Sequence, residues 1–223
     1  MTRKLLFGGL WLISLVYAFG FAPPDRSETL DLIIDLSSGN WSDINPLIVA
    51  LFNLMGILPL AYSCLLFADG RGQTIGAWPF VTASFGVGAF AILPYLALRE
   101  PNPTFTGEKN AFLKFWDSRI LGGILTLGAI ACLVYGLSQG NWNDFVAQWY
   151  DSRFIHVMSL DFCMLCLLVP TLLEDDMERR ELRNRGVFWA ASLIPLLGLL
   201  VYLSLRPPLP EAEVGSVEAV SSS

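Results

Sequence analysis

Charge is scarce along this sequence. Asp, Glu, Lys and Arg make up 15% of its 223 residues, whereas soluble domains carry about 25%. The charges lie in short runs between apolar stretches of roughly 20 residues, the length that crosses the hydrocarbon core of a membrane. This pattern excludes an ordinary soluble domain and predicts an all-α, polytopic helical membrane protein.

Several chemical signatures are also missing. No phosphate-binding loop, nucleophile elbow, zinc-protease helix or dinucleotide-binding glycine motif occurs in a usable context. No basic stripe with interleaved aromatic residues is present, so nucleic acid is not an expected partner. We therefore expect no enzymatic activity, no catalytic residue and no metal centre, while the cofactor question stays open.

Six membrane spans can be drawn on the apolar stretches, all within one membrane domain over residues 1–206. The remaining residues, 207–223, are rich in Pro, Ser and acid and are predicted to be disordered. The six predicted spans cover about 5–21, 46–67, 78–98, 120–137, 154–173 and 187–205.

The orientation of these spans can be estimated from the positive charges. A signal-peptidase site at 16–18 would make the first span a cleaved leader. Cleavage would put the basic loops 99–119 and 174–186 outside, which the positive-inside rule opposes. With the first span retained, the loops after spans one, three and five hold nine Lys and Arg against five on the other face. We expect the nine-charge face to lie inside.

Two short stretches recur along the chain. Residues 37–43 resemble 138–144 at an offset of 101, and residues 95–101 resemble 202–208 at an offset of 107. Each pair occupies the same position in a unit of three spans, so the sequence predicts two related halves, at about 1–101 and 110–206. Since three is an odd number, we expect the halves to be inverted relative to each other.

One carboxylate lies inside a predicted span. Asp161 is placed about eight residues into the fifth span, where a charge is costly unless it faces protein or water. Asn53, at nearly the repeat-equivalent position of the second span, is its expected hydrogen-bond partner. The pair is either a structural latch between helices or a midplane binding site for a proton, cation or solute.

The same span also contains the only histidine of the chain and two cysteines. His156 is interpreted as an interfacial side chain; a single ligand bond to a chlorophyll magnesium is the alternative. Cys163 and Cys166 are spaced so that both sulfurs share one helix face. They are either a dithiol that reacts with a quinone or small packing residues, and we favour packing. The run 174–185 that follows is expected to form exposed ion pairs between residues four apart.

These residues also carry a resemblance. Residues 115–206 resemble uncharacterised three-span membrane domains of bacteria, through Asp161, the acid-to-arginine run at 174–180 and the closing stretch 196–206. The whole chain is similar to uncharacterised multi-pass membrane proteins of cyanobacteria and plastids, through 52–56 and 68–72. The resemblance implies a photosynthetic membrane but no known activity.

The sequence therefore predicts an integral protein of a thylakoid or bacterial inner membrane, in contact with the lipid bilayer. Its expected role is that of a non-catalytic accessory or assembly factor that binds membrane complexes, photosynthetic ones among them. The alternative is a small-solute or ion transporter with a midplane site near Asn53 and Asp161. A thiol or quinone oxidoreductase at Cys163 and Cys166 is the third hypothesis.

Overall fold

The computed structural model describes residues 2–105 and 108–210, which are helical and contain no strand. The predicted disorder of 211–223 falls outside the described residues. The helices are α1 (Thr2–Gly20), α2 (Thr29–Ser38), α3 (Pro46–Asp69), α4 (Trp78–Val87), α5 (Ala89–Leu98), α6 (Ala111–Trp116), α7 (Arg119–Gln139), α8 (Trp142–Asp151), α9 (Arg153–Leu168), α10 (Pro170–Glu178), α11 (Arg185–Leu193) and α12 (Leu197–Leu205).

Four helical stretches are long and apolar enough to cross a membrane: α1, α3, α7 and the continuous pair α9–α10. They correspond to the first, second, fourth and fifth predicted spans. Helix α3 is central. In its most apolar 18-residue stretch 61% is buried, compared with 11% in α1 and 22% in α7. The helical membrane class predicted from composition is confirmed at this level.

The third predicted span is not one continuous helix. Its residues form α4 and α5, separated at Gly88, whose φ of 51° reverses the chain direction. The rings of Phe80 and Tyr95 lie 5.5 Å apart, and the side chain of Gln73 exchanges two hydrogen bonds with the backbone of Glu100. Residues 78–98 therefore form a helical hairpin, and each arm is about 15 Å long, half the hydrocarbon thickness.

The sixth predicted span is divided in the same way. Helices α11 and α12 are separated by Leu196, which has a φ of 60°. A Cβ on Gly198 would lie 2.5 Å from the carbonyl oxygen of Ala190, so the two arms touch closely at the tip. The chain returns to the end where it entered, because Arg206 pairs with Asp176 at the last turn of α10. Four long helices and two helical hairpins thus stand where six spans were predicted.

Both hairpins begin and end at one end of the molecule, here called the arginine end. It comprises the last turns of α3, α5, α10 and α12, the first turns of α1, α7 and α11, and helix α6. The opposite end carries α2 and α8 and is called the α2/α8 end. Among the fourteen Lys and Arg, only Arg26 and Arg153 lie there. The arginine end holds Arg3, Lys4, Arg71, Arg99, Lys109, Lys114, Arg119, Arg179, Arg180, Arg183, Arg185 and Arg206.

This arrangement corrects two expectations. The loops after predicted spans one, three and five were expected on one face. Residues 21–45 lie instead at the opposite end from 99–119 and 174–186, because the third predicted span turns back instead of crossing. Residues 207–210, predicted to be disordered, are ordered at the arginine end. Leu209 is buried beside Ala68 and Leu113, and its backbone N–H donates to the Asp117 carboxylate at 3.0 Å.

Candidate functional site

Asp161 lies at the tip of the first hairpin. It projects from α9, is 8% exposed, and its Oδ1 accepts a hydrogen bond of 2.8 Å from the backbone N–H of Ala89. Ala89 is the first residue of α5, and the N–H groups of a first helical turn have no partner within the helix. The partial positive charge of that turn also favours a carboxylate. Asp161 therefore holds the hairpin tip against α9.

Gly88 makes this approach sterically feasible. Its positive φ is unfavourable for residues with a Cβ, and a Cβ built there would collide with Oδ2 of Asp161. The close approach of Asp161 and the reversal of the chain thus depend on the same glycine.

Two cavities border Asp161. The smaller has a volume of about 310 Å³ and lies between α1, α5 and α9. The larger, of about 700 Å³, is bounded by α1, α3, α4, α5 and α9. The two cavities share Ala18, Phe90, Val157 and Asp161. Both volumes fall in the range of about 300–1,000 Å³ typical of small-molecule sites.

The larger cavity has aromatic walls and few polar groups. At the α2/α8 end it is lined by Asp25, Thr29 and Arg153, and it also borders the buried carboxylate of Asp161. Arg153 donates to the carbonyl of Pro23 at 3.0 Å, which fixes it at the rim. The aromatic side chains along the walls are Trp11, Phe19, Phe52, Phe85, Phe90 and Phe154.

The expected partnership between Asn53 and Asp161 is wrong. The Asn53 side chain donates to the carbonyl of Val49 at 2.8 Å, one turn earlier on the same helix. A short amide side chain competes well for such a local carbonyl. Asp161 is instead bonded to the hairpin backbone, which the repeat offset between Asn53 and Asp161 could not indicate.

His156 has partners on both ring nitrogens. Nε2 lies 2.8 Å from the Tyr17 hydroxyl, and Nδ1 lies 3.0 Å from the carbonyl oxygen of Trp149. A carbonyl only accepts, so Nδ1 carries a proton and, in the neutral ring, Nε2 accepts from Tyr17. The buried ring thereby connects α9 to α1 and α8, and neither nitrogen is free for a pigment metal in this arrangement.

Cys163 and Cys166 lie in different surroundings. Cys163 is exposed and lines the smaller cavity, whereas Cys166 is buried in the apolar core. Neither forms a disulfide. This difference in exposure favours packing for Cys166, and the redox hypothesis gains no support from it.

The arginine end contains a buried ion network that the sequence reasoning missed. The carboxylate of Asp69 accepts from the Tyr95 hydroxyl at 2.6 Å and from Nε of Arg99 at 2.7 Å. Arg179 approaches the same carboxylate at 3.1 Å. The side chains of Asp69, Arg99 and Arg179 are completely buried. Buried charges are tolerated only when they are paired in this way.

A second set of residues repeats this geometry. Asp176 accepts from the Tyr202 hydroxyl at 2.7 Å, and Arg206 lies 3.1 Å away. The separations from Asp to Tyr and from Asp to Arg are 26 and 30 residues in both sets. Asp69 and Asp176 are themselves 107 residues apart, so this offset, known from the second sequence match, would have identified both acids.

Each of these arginines also has a second acidic partner. Arg99 pairs with Asp175, and Arg206 lies 3.6 Å from Asp117. Lys109 and Arg180 pair with Asp117 as well, at 2.5 and 2.6 Å. Burial opposes ionisation of the Asp117 carboxyl, but these cations outweigh it and hold its pKa below the usual range.

Two expectations about the arginine end need correction. The run 174–185 was expected to form exposed ion pairs, but Asp176 and Arg180 pair in the buried interior and Arg179 contacts Asp69. Inverted halves would place equivalent residues at opposite membrane faces. Instead, Arg179 lies 3.1 Å from Asp69 and 3.8 Å from Asp176, within one cluster. The structure does not support the inverted relation.

Comparison with known proteins adds no relative. No protein-family model, no curated protein and no solved structure matches this chain.

Proposed function

We propose that this protein is an integral membrane carrier that binds a small solute in the larger cavity, at Asp161. The observation that carries this proposal is the position of Asp161, deep in an aromatic cavity and at the tip of a broken, re-entrant helix pair. Helix interruptions near the midplane, with helix ends directed at a cavity, are typical of solute sites in transporters. A polar group inside a membrane domain is a candidate functional group by default.

The proposal can be tested with a variant that fills the cavity and leaves Asp161 intact. Gly56 lines the larger cavity, and a Cβ added there meets no atom within 4 Å. Gly56→Leu should therefore occupy cavity space without straining α3. Gly123 on α7 has the same open surroundings but lines neither cavity, so Gly123→Leu is the matched control.

The measurement is uptake of solutes from a small-molecule cell extract into proteoliposomes, followed by mass spectrometry. We expect at least one solute to accumulate in wild-type and Gly123→Leu vesicles and not in Gly56→Leu vesicles. Equal solute profiles for all three proteins and for protein-free vesicles would contradict the carrier function.

We further infer that the arginine end faces the cytoplasm or, in a thylakoid, the stroma. Twelve Lys and Arg at that end against two at the other give a stronger bias than loops counted from sequence. The start of α1 and the end of α12 would then both lie inside. Alkaline phosphatase inserted after Asp43 should be active, and the same enzyme fused after residue 210 should be inactive; the reverse pattern would refute this orientation.

The two Asp–Tyr–Arg sets support an origin of the chain by duplication. A unit of two crossing helices and one re-entrant hairpin returns to its starting face. Two such units therefore have the same orientation, and the axis relating them runs along the membrane normal.

An accessory role in a thylakoid or bacterial inner membrane is a second proposal. It is supported by the resemblance to cyanobacterial and plastid membrane proteins and by the outer surface of α7. That surface exposes Ile120, Ile124, Leu127 and Val134 to lipid or to a partner. Affinity purification in mild detergent should then recover stoichiometric photosynthetic subunits, and recovery of this chain alone would argue against the accessory role.

A further inference from the structure

We propose, on the basis of the carrier function above, that the solute is a compact organic amine with an apolar body, and that Oδ2 of Asp161 accepts a hydrogen bond from its ammonium group. Three observations support the proposal. One carboxylate oxygen of Asp161 receives no hydrogen bond from the described residues, aromatic rings line the cavity, and acidic residues are in excess at the α2/α8 end.

The accepting atom is identified by the hydrogen bond between the N–H of Ala89 and Oδ1 of Asp161, here called the latch. Oδ1 of Asp161 is engaged by the N–H of Ala89, and this is the hydrogen bond that the described residues provide to the carboxylate. Oδ2 lies beside Gly88 at the cavity boundary, with no donor from the described residues. An apolar cavity offers no substitute for water, so a solute that supplies a donor here is favoured.

A positive charge on that donor is favoured for two reasons. Among the described residues no arginine or lysine pairs with Asp161, in contrast to the acids of the arginine end, so a bound cation would supply the missing counter-charge. Aromatic faces also attract ammonium groups, and the rings of Trp11, Phe85 and Phe90 line the same cavity as Asp161. An anionic solute would bring a second negative charge into the same apolar space.

The end of the molecule that contributes Asp25, Thr29 and Arg153 to the cavity has an excess of acidic residues. The α2/α8 end has seven acidic residues and only Arg26 and Arg153 as cations, and Asp25 lies at the cavity rim. A surface with this imbalance raises the local concentration of cations. The seven acids are Asp25, Glu28, Asp31, Asp35, Asp43, Asp144 and Asp151.

The test uses three matched probes: 2-phenylethylamine, 2-phenylethanol and 3-phenylpropanoate. Their binding to the full chain in detergent is measured by isothermal titration calorimetry. We expect the amine to bind about tenfold or more tightly than the alcohol, since hydrogen bonds to a charged group are the stronger ones. The carboxylate should not bind measurably.

Two variants assign the preference to Asp161. Asp161→Asn retains an oxygen for the N–H of Ala89 but replaces the other oxygen by a donor, so its affinity for the amine should fall to that for the alcohol. Glu178→Gln is the control, because Glu178 is an exposed acid of the arginine end and lines neither cavity. This variant should bind the amine as the wild type does.

Equal binding of amine and acid, or an unchanged amine preference in Asp161→Asn, would overturn the amine proposal. So would the absence of amine binding in a protein that still takes up other solutes in a Gly56-dependent way, and the carrier function would survive that result. Failure of the carrier function is recognised separately, by solute uptake that does not respond to Gly56→Leu.

Discussion

The acids at the arginine end and the acid at the hairpin tip are buried in different ways. Asp69 and Asp176 each accept from a tyrosine and lie against at least two arginines. Asp161 has one backbone N–H and a cavity beside it. Acids whose two carboxylate oxygens both accept from protein donors indicate a structural role, whereas an acid with a free acceptor atom beside a cavity indicates a binding role. Burial of a carboxylate alone therefore does not distinguish the two roles, but its partners do.

The largest effect should come from removing an acid of the arginine end. Asp176→Asn leaves the buried Arg180 and Arg206 with Asp117 as their remaining counter-charge, and Asp117 is already paired with Lys109. Breaking a buried pair in this way costs about 3–5 kcal/mol. We expect little folded protein in the membrane and a much lower unfolding temperature, measured on detergent-purified material. Asp151→Asn, which breaks an exposed pair, should change neither; normal stability of Asp176→Asn would contradict the structural role.

The hairpin tip should give the next largest effect. Gly88→Ala places a Cβ at a positive φ and against Asp161, at a cost of roughly 1–3 kcal/mol for the backbone conformation. Loss of the latch should also abolish amine binding. Gly86→Ala is the matched control, because Gly86 lines the same cavity but has nothing within 4 Å of an added Cβ. If both variants behaved alike in thermal unfolding, the latch would not be required.

A smaller, pH-dependent contribution is expected from Asp117. Its pKa is lower in the folded protein than in the unfolded chain, so the folded state gains stability above the unfolded pKa. This gain should be lost as the pH falls through the folded pKa, in the acid range below about 4. Unfolding temperatures recorded between pH 6 and pH 3 should fall more steeply for wild type than for Asp117→Asn. Parallel curves would show that Asp117 does not contribute.

The smallest effect is expected at Asn53. Asn53→Leu removes one hydrogen bond to the carbonyl of Val49, which lies one turn earlier on the same helix and connects no second helix. Unfolding temperature and amine affinity should both stay close to the wild-type values. A loss of affinity comparable to that of Asp161→Asn would restore Asn53 to the site.

The sequence predicted the long helices because length and apolar composition define them. It could not separate a crossing helix from a hairpin of two short ones, since both are about 20 apolar residues in a row. The reversal depends on Gly88 in one hairpin and Leu196 in the other. Gly88 with Pro94 in the third span and Pro195 in the sixth indicate that a helix can break or kink there, but they do not separate a kinked crossing helix from a reversal of the chain.

The candidate site was predicted in part. Asp161 was identified because an acid in an apolar span is conspicuous, but its partner is a backbone N–H that appears only once the hairpin has formed. The ion network was missed because Asp69 and Arg99 lie at opposite ends of a predicted span. That span would have kept them a membrane thickness apart, whereas the hairpin brings them to within 2.7 Å. The prediction that residues 78–98 cross the membrane therefore concealed the ion network. It also led to the expectation that the two halves are inverted.

The most direct test of the contrast between the two kinds of acid is a paired measurement on Asp161→Asn and Asp176→Asn. The amount of folded protein in the membrane and the affinity for 2-phenylethylamine are recorded for both. We predict that Asp161→Asn accumulates like the wild type and loses its preference for the amine, while Asp176→Asn fails to accumulate. Normal accumulation of Asp176→Asn together with unchanged amine binding by Asp161→Asn would contradict the roles assigned to both residues.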